Sequence, residues 1–562
     1  MYFFRKFGSK SLESIMRSND RIHLKDITNT DPNEISRLSF QSLRKLSYIL
    51  YTNYEKSSEY EEFDKKLQRH LTKIFPKLHV HYKSLIIKNL SFGLENDVEF
   101  NKDLLLAMLN SLKTLKGFSF ENNELIGLLK FLQIFDKNKI EYEAYIREYF
   151  SEVTVERLEN INNKEIGVLC LILYRIGMIN KYFDIQVEGK EGIYSVIERV
   201  VMRKISSLGV KDAYNVLRCF VTNDRGSEDF CRILESKVFS NLSHLFDKEL
   251  ADIPNFYIKR KLYNFDYLLN SIYKPLYHEI VKRFDFIDPF TLSLSLFNYW
   301  RNSTINGLYC TNELPEKLKA LLSKKDYFTN IDPKTRSFLI QNIISLLSYT
   351  RKLDEQSIHA LLELEKIFSD SLGEVFYMRI INYLSREGKV DDLILEKFLQ
   401  CLNKLCEDRE NFKSLYHIWL NIKLRIPEKF EKIENFFSQT RLDECLIEWK
   451  KSKSMYLAQS ESSQIHREFE KILKNMNIEY EFEYFDVYFI DLALPKLRIC
   501  IEIHGPGHYI FPDLVFNGKT QNKMEILEKL GWKYNSYAFF THKNRTNSIT
   551  SYLAKVIPLE FN

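Results

Sequence analysis

Two stretches of this 562-residue chain gather side chains that could do chemistry. In the first, Phe256–Phe284, the cations Lys259, Arg260, Lys261, Lys274, Lys282 and Arg283 face only two acids, Asp266 and Glu279. Tyr257, Tyr263, Tyr267, Tyr273 and Tyr277 are interleaved with them. Cations that neutralise phosphates, beside aromatic faces on which unpaired bases stack, are what single-stranded RNA binding requires. The competing reading of the same residues is a solvated helix face whose tyrosines simply pack. In the second stretch the residues alternate. Leu497, Ile499, Ile501 and Ile503 fall on one side of an extended segment, and Arg498, Cys500, Glu502 and His504 on the other. A carboxylate and an imidazole therefore share a strand face, with His508 close behind. The eight cysteines never form a C-x-x-C pair, which argues against a zinc site or disulfide framework and for a reducing compartment.

The elements that must position these groups are mostly helices. Gly (17) and Pro (12) are too scarce for an all-β sandwich or barrel, which needs turn residues at short intervals. A hydrophobic share of 45% excludes global disorder. From residue 30 to 450 the apolar residues keep a helical stripe, as in Leu104, Leu105, Met108, Leu109 and Leu112. Helix starts recur at Asn163, Lys211-Asp, Asp288-Pro and Asp332-Pro, and again near Gly373, with N-cap and first-turn residues before each apolar run. The last three of these lie 44 and about 41 residues apart, the period of a two-helix unit. The expected architecture is an α-solenoid of degenerate repeats, with a compact helical bundle as the alternative. The most apolar run, Ile166–Tyr174, ends at Arg175 and is far too short for a bilayer.

Residues 451–463 are polar and serine-rich and read as a linker. From 464 to 560 the pattern changes to a helix, three strands, a helix, a strand and a helix (αβββαβα), an α/β module. It is near neutral, with 12 basic against 13 acidic residues in 461–562, so the net +5 of the chain belongs upstream, thinly spread. At the other end, residues 1–25 carry Arg5, Lys6, Lys10, Arg17 and Arg21 beside Phe3, Phe4, Phe7, Leu12, Ile15 and Met16. This basic amphipathic start resembles a mitochondrial transit segment; an ordinary first helix of the fold is the alternative.

Four segments of the C-terminal module carry a resemblance. His466-Arg-Glu-Phe-Glu, Ile490-Asp-Leu-Ala-Leu-Pro-Lys-Leu, Ile501-Glu-Ile-His-Gly-Pro-Gly-His-Tyr and Leu530-Gly-Trp-Lys together resemble the RAP domain. That is an RNA-binding module abundant in apicomplexans and found at the C-terminus of the FAST kinase family. The resemblance covers under a fifth of the chain. It implies a restriction-endonuclease-like fold after helical repeats, and work on organellar RNA: processing or stability of mRNA, or ribosomal RNA in mitoribosome assembly. The implied location is the mitochondrial matrix, with the apicoplast as alternative, and the implied partners are organellar RNA and mitoribosomal proteins, with no membrane. The nucleases of this fold hold Mg²⁺ on two carboxylates, which polarises the phosphate and activates a water. Asp491 and Glu502 match those positions and are the candidate metal ligands. His504 stands where the nucleases usually carry Lys, and Glu468 on the preceding helix could complete an acidic cluster. Asp491, Glu502 and His504 are thus candidate catalytic residues of a Mg²⁺-dependent ribonuclease. The departure at 504 weighs toward the other reading, a polar cluster at a binding face that needs no cofactor, with His508 beside the RNA. A third reading is a protein-binding scaffold of the mitoribosome.

Overall fold

The computed structural model describes residues 12–17, 27, 30–52, 58–95, 98–112, 122–138, 141–142, 144, 147, 154–179, 186–187, 191–257, 265–369, 372–434, 437, 442–451, 464–538, 540 and 545–557. The chain is mostly helical, with a small sheet region at its C-terminal end, and divides into two compact units, one ending at His244 and one from Leu245 onward. Among the described residues no helix is long and apolar enough to cross a membrane.

In the first unit five helices follow one another in a row: α1 (Phe40–Thr52), α2 (Val80–Glu95), α3 (Asn122–Lys137), α4 (Asn163–Ile179) and α5 (Val210–Thr222). Each packs on the next, and each starts about forty residues after the last. A shorter helix, Leu12–Arg17, buries Leu12 and Met16 against α1 and the turn at Pro32–Arg37. The rest of residues 1–25, with Phe3, Phe4 and Phe7, lies outside the described residues.

The second unit repeats the device with α6 (Asp247–Phe256), α7 (Pro289–Asn306), α8 (Pro333–Tyr349), α9 (Glu374–Arg386) and α10 (Phe412–Arg425). The starts are legible chemistry: Asp332 accepts from Thr335 N–H at 2.9 Å, with Pro333 supplying a first-turn residue that needs no hydrogen bond. A regularity inside the helices is not legible from the sequence. Asn89, Asn298 and Asn342 each stand tenth in their helix, and each donates its amide to the carbonyl of the fifth residue of the preceding row helix. The acceptors are Arg44, Ala251 and Ser293, at 2.9, 2.7 and 3.1 Å. A helical carbonyl has a second lone pair for such a bond. Asn is a poor mid-helix residue, so its recurrence at one level has a packing cause. Asn421 keeps the tenth position in α10 and is fully buried without that bond.

The C-terminal module runs α11 (Gln464–Asn475), β2 (Glu481–Phe485), β3 (Phe489–Leu494), β4 (Ile499–His504), β5 (Tyr509–Phe511), β6 (Val515–Phe516), α12 (Gly518–Lys529), β7 (Lys533–Ala538) and α13 (Arg545–Val556), after a strand β1 (Leu308–Tyr309) in the helical region. The main sheet has the order β2-β3-β4-β7, antiparallel except for the parallel join of β4 to β7. Ile499, Ile501 and Ile503 face one core with Ile465, Phe469, Leu473, Ile549 and Leu553 from α11 and α13. Two expectations need correction. The alternating strand begins at Ile499, because Pro495–Leu497 is a single 3-10 turn closed by Arg498 in the left-handed region (φ 51°). The αβββαβα order leaves out short strands after Gly505-Pro-Gly507: β5 pairs antiparallel with β6 and parallel with β1. Strands of two or three residues carry no readable alternation, and β1 lies some two hundred residues away in the chain.

Candidate functional site

The pairing register of β3 and β4, with Leu492 opposite Ile501, brings Asp491 across from Glu502 on the face turned away from the Ile499–Ile501–Ile503 core. The two carboxylates are tied to each other's strands. Ile503 N–H donates to Asp491 Oδ2 at 2.9 Å, and Asp491 N–H to Glu502 Oε1 at 3.3 Å. Contrary to the usual pattern of a sheet with one wet face, this face is closed as well: Glu502 is 2% exposed and His504 1%.

What closes it is α12, and with it comes a residue that the motif comparison passed over. Lys523 Nζ donates to Glu502 Oε2 at 2.5 Å. Burial, then the charge of Asp491, push the Glu502 carboxyl up to about 7, with Lys523 pulling the other way. Burial works against the ammonium of Lys523, but Glu502 and Asp491 outweigh it and hold its pKa above the ordinary lysine value. The signal for Lys523 was present in the sequence. It shares a helix face with Thr520, Ile526 and Leu527, all buried, at i−3, i+3 and i+4. A lone cation on an apolar face needs a buried anion, and only the fold says which.

His504 Nε2 and the Tyr534 hydroxyl are hydrogen bonded at 2.8 Å, while its Nδ1 is buried without a partner. The His508 ring lies 4.3 Å from that of His504, and its Nδ1 meets Thr520 Oγ1 at 3.0 Å. Burial lowers both imidazoles, His504 to about 2, helped by His508 and Lys523, and His508 to about 4. Both are neutral at neutral pH, so neither serves as a cationic contact to phosphate.

Glu468 does not complete an acidic cluster. Its helix, α11, packs on the apolar side of the sheet, and among the described residues no three His, Cys, Asp or Glu side chains converge as a metal-ligand set. Asp491 and Glu502 already accept from two backbone N–H groups and one ammonium, which sits on Glu502 Oε2. As arranged, these residues do not fit Mg²⁺, which takes oxygen ligands in near-octahedral geometry.

The basic-aromatic stretch comes apart in the structure. Lys259, Arg260, Lys261 and Tyr263 lie outside the described residues. Lys274 and Lys282 are exposed, and Tyr267 is half-buried. Arg283 is committed to Glu279 at 2.7 Å and Asp247 at 2.9 Å. Tyr257, Tyr273 and Tyr277 are buried, and Tyr277 OH accepts from the backbone N–H of Thr311 and of Leu314, both at 3.2 Å. Those three tyrosines pack the core and have no face to offer a base.

The module is built into the helical region of its own unit. Asn517 caps α12 through Thr520 N–H at 3.0 Å, and its amide also meets Tyr349 OH of α8 at 2.9 Å. A Cβ on Gly518 would come 2.2 Å from the Ser348 carbonyl oxygen, so only glycine permits this approach of helix to helix. Arg425 pairs with Glu525, and Trp449 packs edge-on against Phe485, Tyr488 and Phe489. No protein-family model matches the chain, and no curated protein is significantly similar to it.

Proposed function

We propose that this protein is an organellar RNA-binding protein, an α-solenoid of degenerate two-helix repeats carrying a C-terminal RAP-like domain. Its place of work is the mitochondrial matrix, on transcripts or on ribosomal RNA during mitoribosome assembly. The observation that carries the reading is the strand order β2-β3-β4-β7 with its single parallel join, which is the order of a restriction-endonuclease-like sheet, and the motif residues Asp491 and Glu502 lie side by side on its middle strands. The rows of helices recurring every forty residues or so support the solenoid half of the reading.

The test is ultraviolet crosslinking of the tagged full chain in cells, followed by sequencing of the attached RNA. Organellar mRNA or rRNA enriched over an untagged control is the expected result; recovery of none above background overturns the reading. Capture of mitoribosomal proteins that survives nuclease treatment points instead to the protein scaffold. The competing reading, a metal-dependent ribonuclease, is the one that the misfit of Asp491 and Glu502 to Mg²⁺ argues against. Cleavage of the bound RNA in Mg²⁺ or Mn²⁺, abolished in Asp491→Asn, would establish it.

A further inference from the structure

The arrangement around Glu502 points beyond RNA binding to how this module does without a metal. We infer that Lys523 is a resident counter-cation, an ammonium supplied by α12 that takes the place a divalent ion would occupy between Glu502 and Asp491. The inference rests on reading the sheet as restriction-endonuclease-like, since only that reading makes the carboxylate pair a former or potential metal site.

Three observations carry it. First, Lys523 Nζ is on Glu502 Oε2 at 2.5 Å, where the carboxylate is 2% exposed and has no other cation partner among the described residues. Second, two further carboxylate oxygens are used by the protein's own backbone, Oε1 of Glu502 by Asp491 N–H and Oδ2 of Asp491 by Ile503 N–H. Third, the side chain two past the glutamate is engaged elsewhere: His504 Nε2 is hydrogen bonded to the Tyr534 hydroxyl at 2.8 Å. A buried carboxylate beside a second carboxylate requires a cation nearby, and removing one partner of such a pair leaves an uncompensated charge. Lys523 meets that requirement from a helix, with a group that has no open coordination position for water or phosphate. The consequence is a module whose folding and RNA contact are independent of divalent ions, and whose carboxylates are held away from hydrolytic chemistry.

The experiment uses the full chain and Mn²⁺ alone as the probe, read by the loss of the free-ion electron paramagnetic resonance signal. The wild type is expected to leave that signal unchanged, and its thermal transition to stay within roughly a degree with or without MnCl₂. Lys523→Met should gain a single Mn²⁺ site, and a double variant that adds Asp491→Asn should lose it again. A wild-type protein that binds one Mn²⁺, with binding abolished in Glu502→Gln, overturns the inference. So does a Lys523→Met protein that keeps its circular dichroism yet binds no Mn²⁺. Should Lys523→Met fail to fold, Lys523→Arg decides: it keeps the charge, and a folded variant that still excludes Mn²⁺ supports the inference, while one that binds Mn²⁺ overturns it. None of these readouts involves RNA, so a chain that binds no RNA would sink the proposed function and leave this result standing or falling by itself.

Discussion

At the scale of single residues, the C-terminal module is governed by what burial does to charge. His504 and His508 are held neutral by their surroundings, and His417 of α10 likewise lies far below its ordinary value through burial, beside Trp449 and Tyr488. A histidine whose folded-state pKa is depressed stabilises the fold fully above its unfolded value near 6.5. That contribution is lost as pH falls from there toward the folded value, because only the unfolded chain takes up the proton. Glu502 has the opposite sign. With its carboxyl raised to about 7, its contribution is present below its unfolded value and lost as pH climbs through 7. Between pH 6.5 and 5 the three histidines outweigh the one glutamate, so the joint contribution of these four groups to stability should fall over that range. Urea unfolding followed by tryptophan fluorescence at the two pH values checks this; a flat profile would mean that the histidines are already protonated or solvated in the folded state. The carboxylates and His504 were legible in the sequence as residue types at strand spacing. Lys523 was legible only as an oddity on a helix face, because its partner is set by how α12 lies on the sheet.

At the scale of elements, periodicity identified the helices and their starts, while the contacts that hold one row helix to the next were invisible to it. Asn342 illustrates the difference. In the sequence it is a weak helix former amid Ile and Leu; in the fold it donates to the backbone carbonyl of Ser293 and to its hydroxyl, both at 3.1 Å. Replacing it with leucine leaves a buried hydroxyl and carbonyl lone pair with less to bind and adds bulk to a full core. The expected loss is about 1–3 kcal/mol. Asn298→Leu, one helix earlier, should cost a similar amount for the same reason, measured as a lowered unfolding midpoint. An exposed site such as Lys334→Leu on the same helix, run alongside, should stay within about 0.5 kcal/mol. Equal effects at all three sites would show that the asparagine bonds add nothing to the packing of the row. The strands tell the converse story. β3 and β4 were readable from alternation, but β1, β5 and β6 exist because distant backbone edges meet, and no local pattern specifies that.

At the scale of the whole molecule, the C-terminal module and the helices before it in the second unit form one body. The junction is narrow and specific: Gly518 against the Ser348 carbonyl, Asn517 on Tyr349 OH, Tyr349 OH donating to the Gly507 carbonyl at 2.9 Å, and Arg425 on Glu525. Gly518→Val would drive two branched methyl groups into backbone atoms that have no freedom to move, an overpacking that costs about 1–3 kcal/mol or more. Hydrogen exchange of α12 and of Ser348–Tyr349 should then rise together, while exchange in α11 and α13, on the far side of the sheet, should not. Unchanged exchange at Ser348–Tyr349 would mean that the junction tolerates the added volume and is looser than its geometry. From the sequence alone one could determine the mostly helical class, the change of character after the serine-rich stretch, and the strand that carries Glu502 and His504. Each of these is written in local periodicity, capping residues and composition, which act over a few residues. Only the tertiary structure decided that the polar face of that strand is buried, that Lys523 neutralises Glu502, that three of the tyrosines beside the basic residues are core, and that the module is docked. These depend on which surfaces meet across hundreds of residues, and burial, which sets charge state and access, is a property of the meeting and not of the residue.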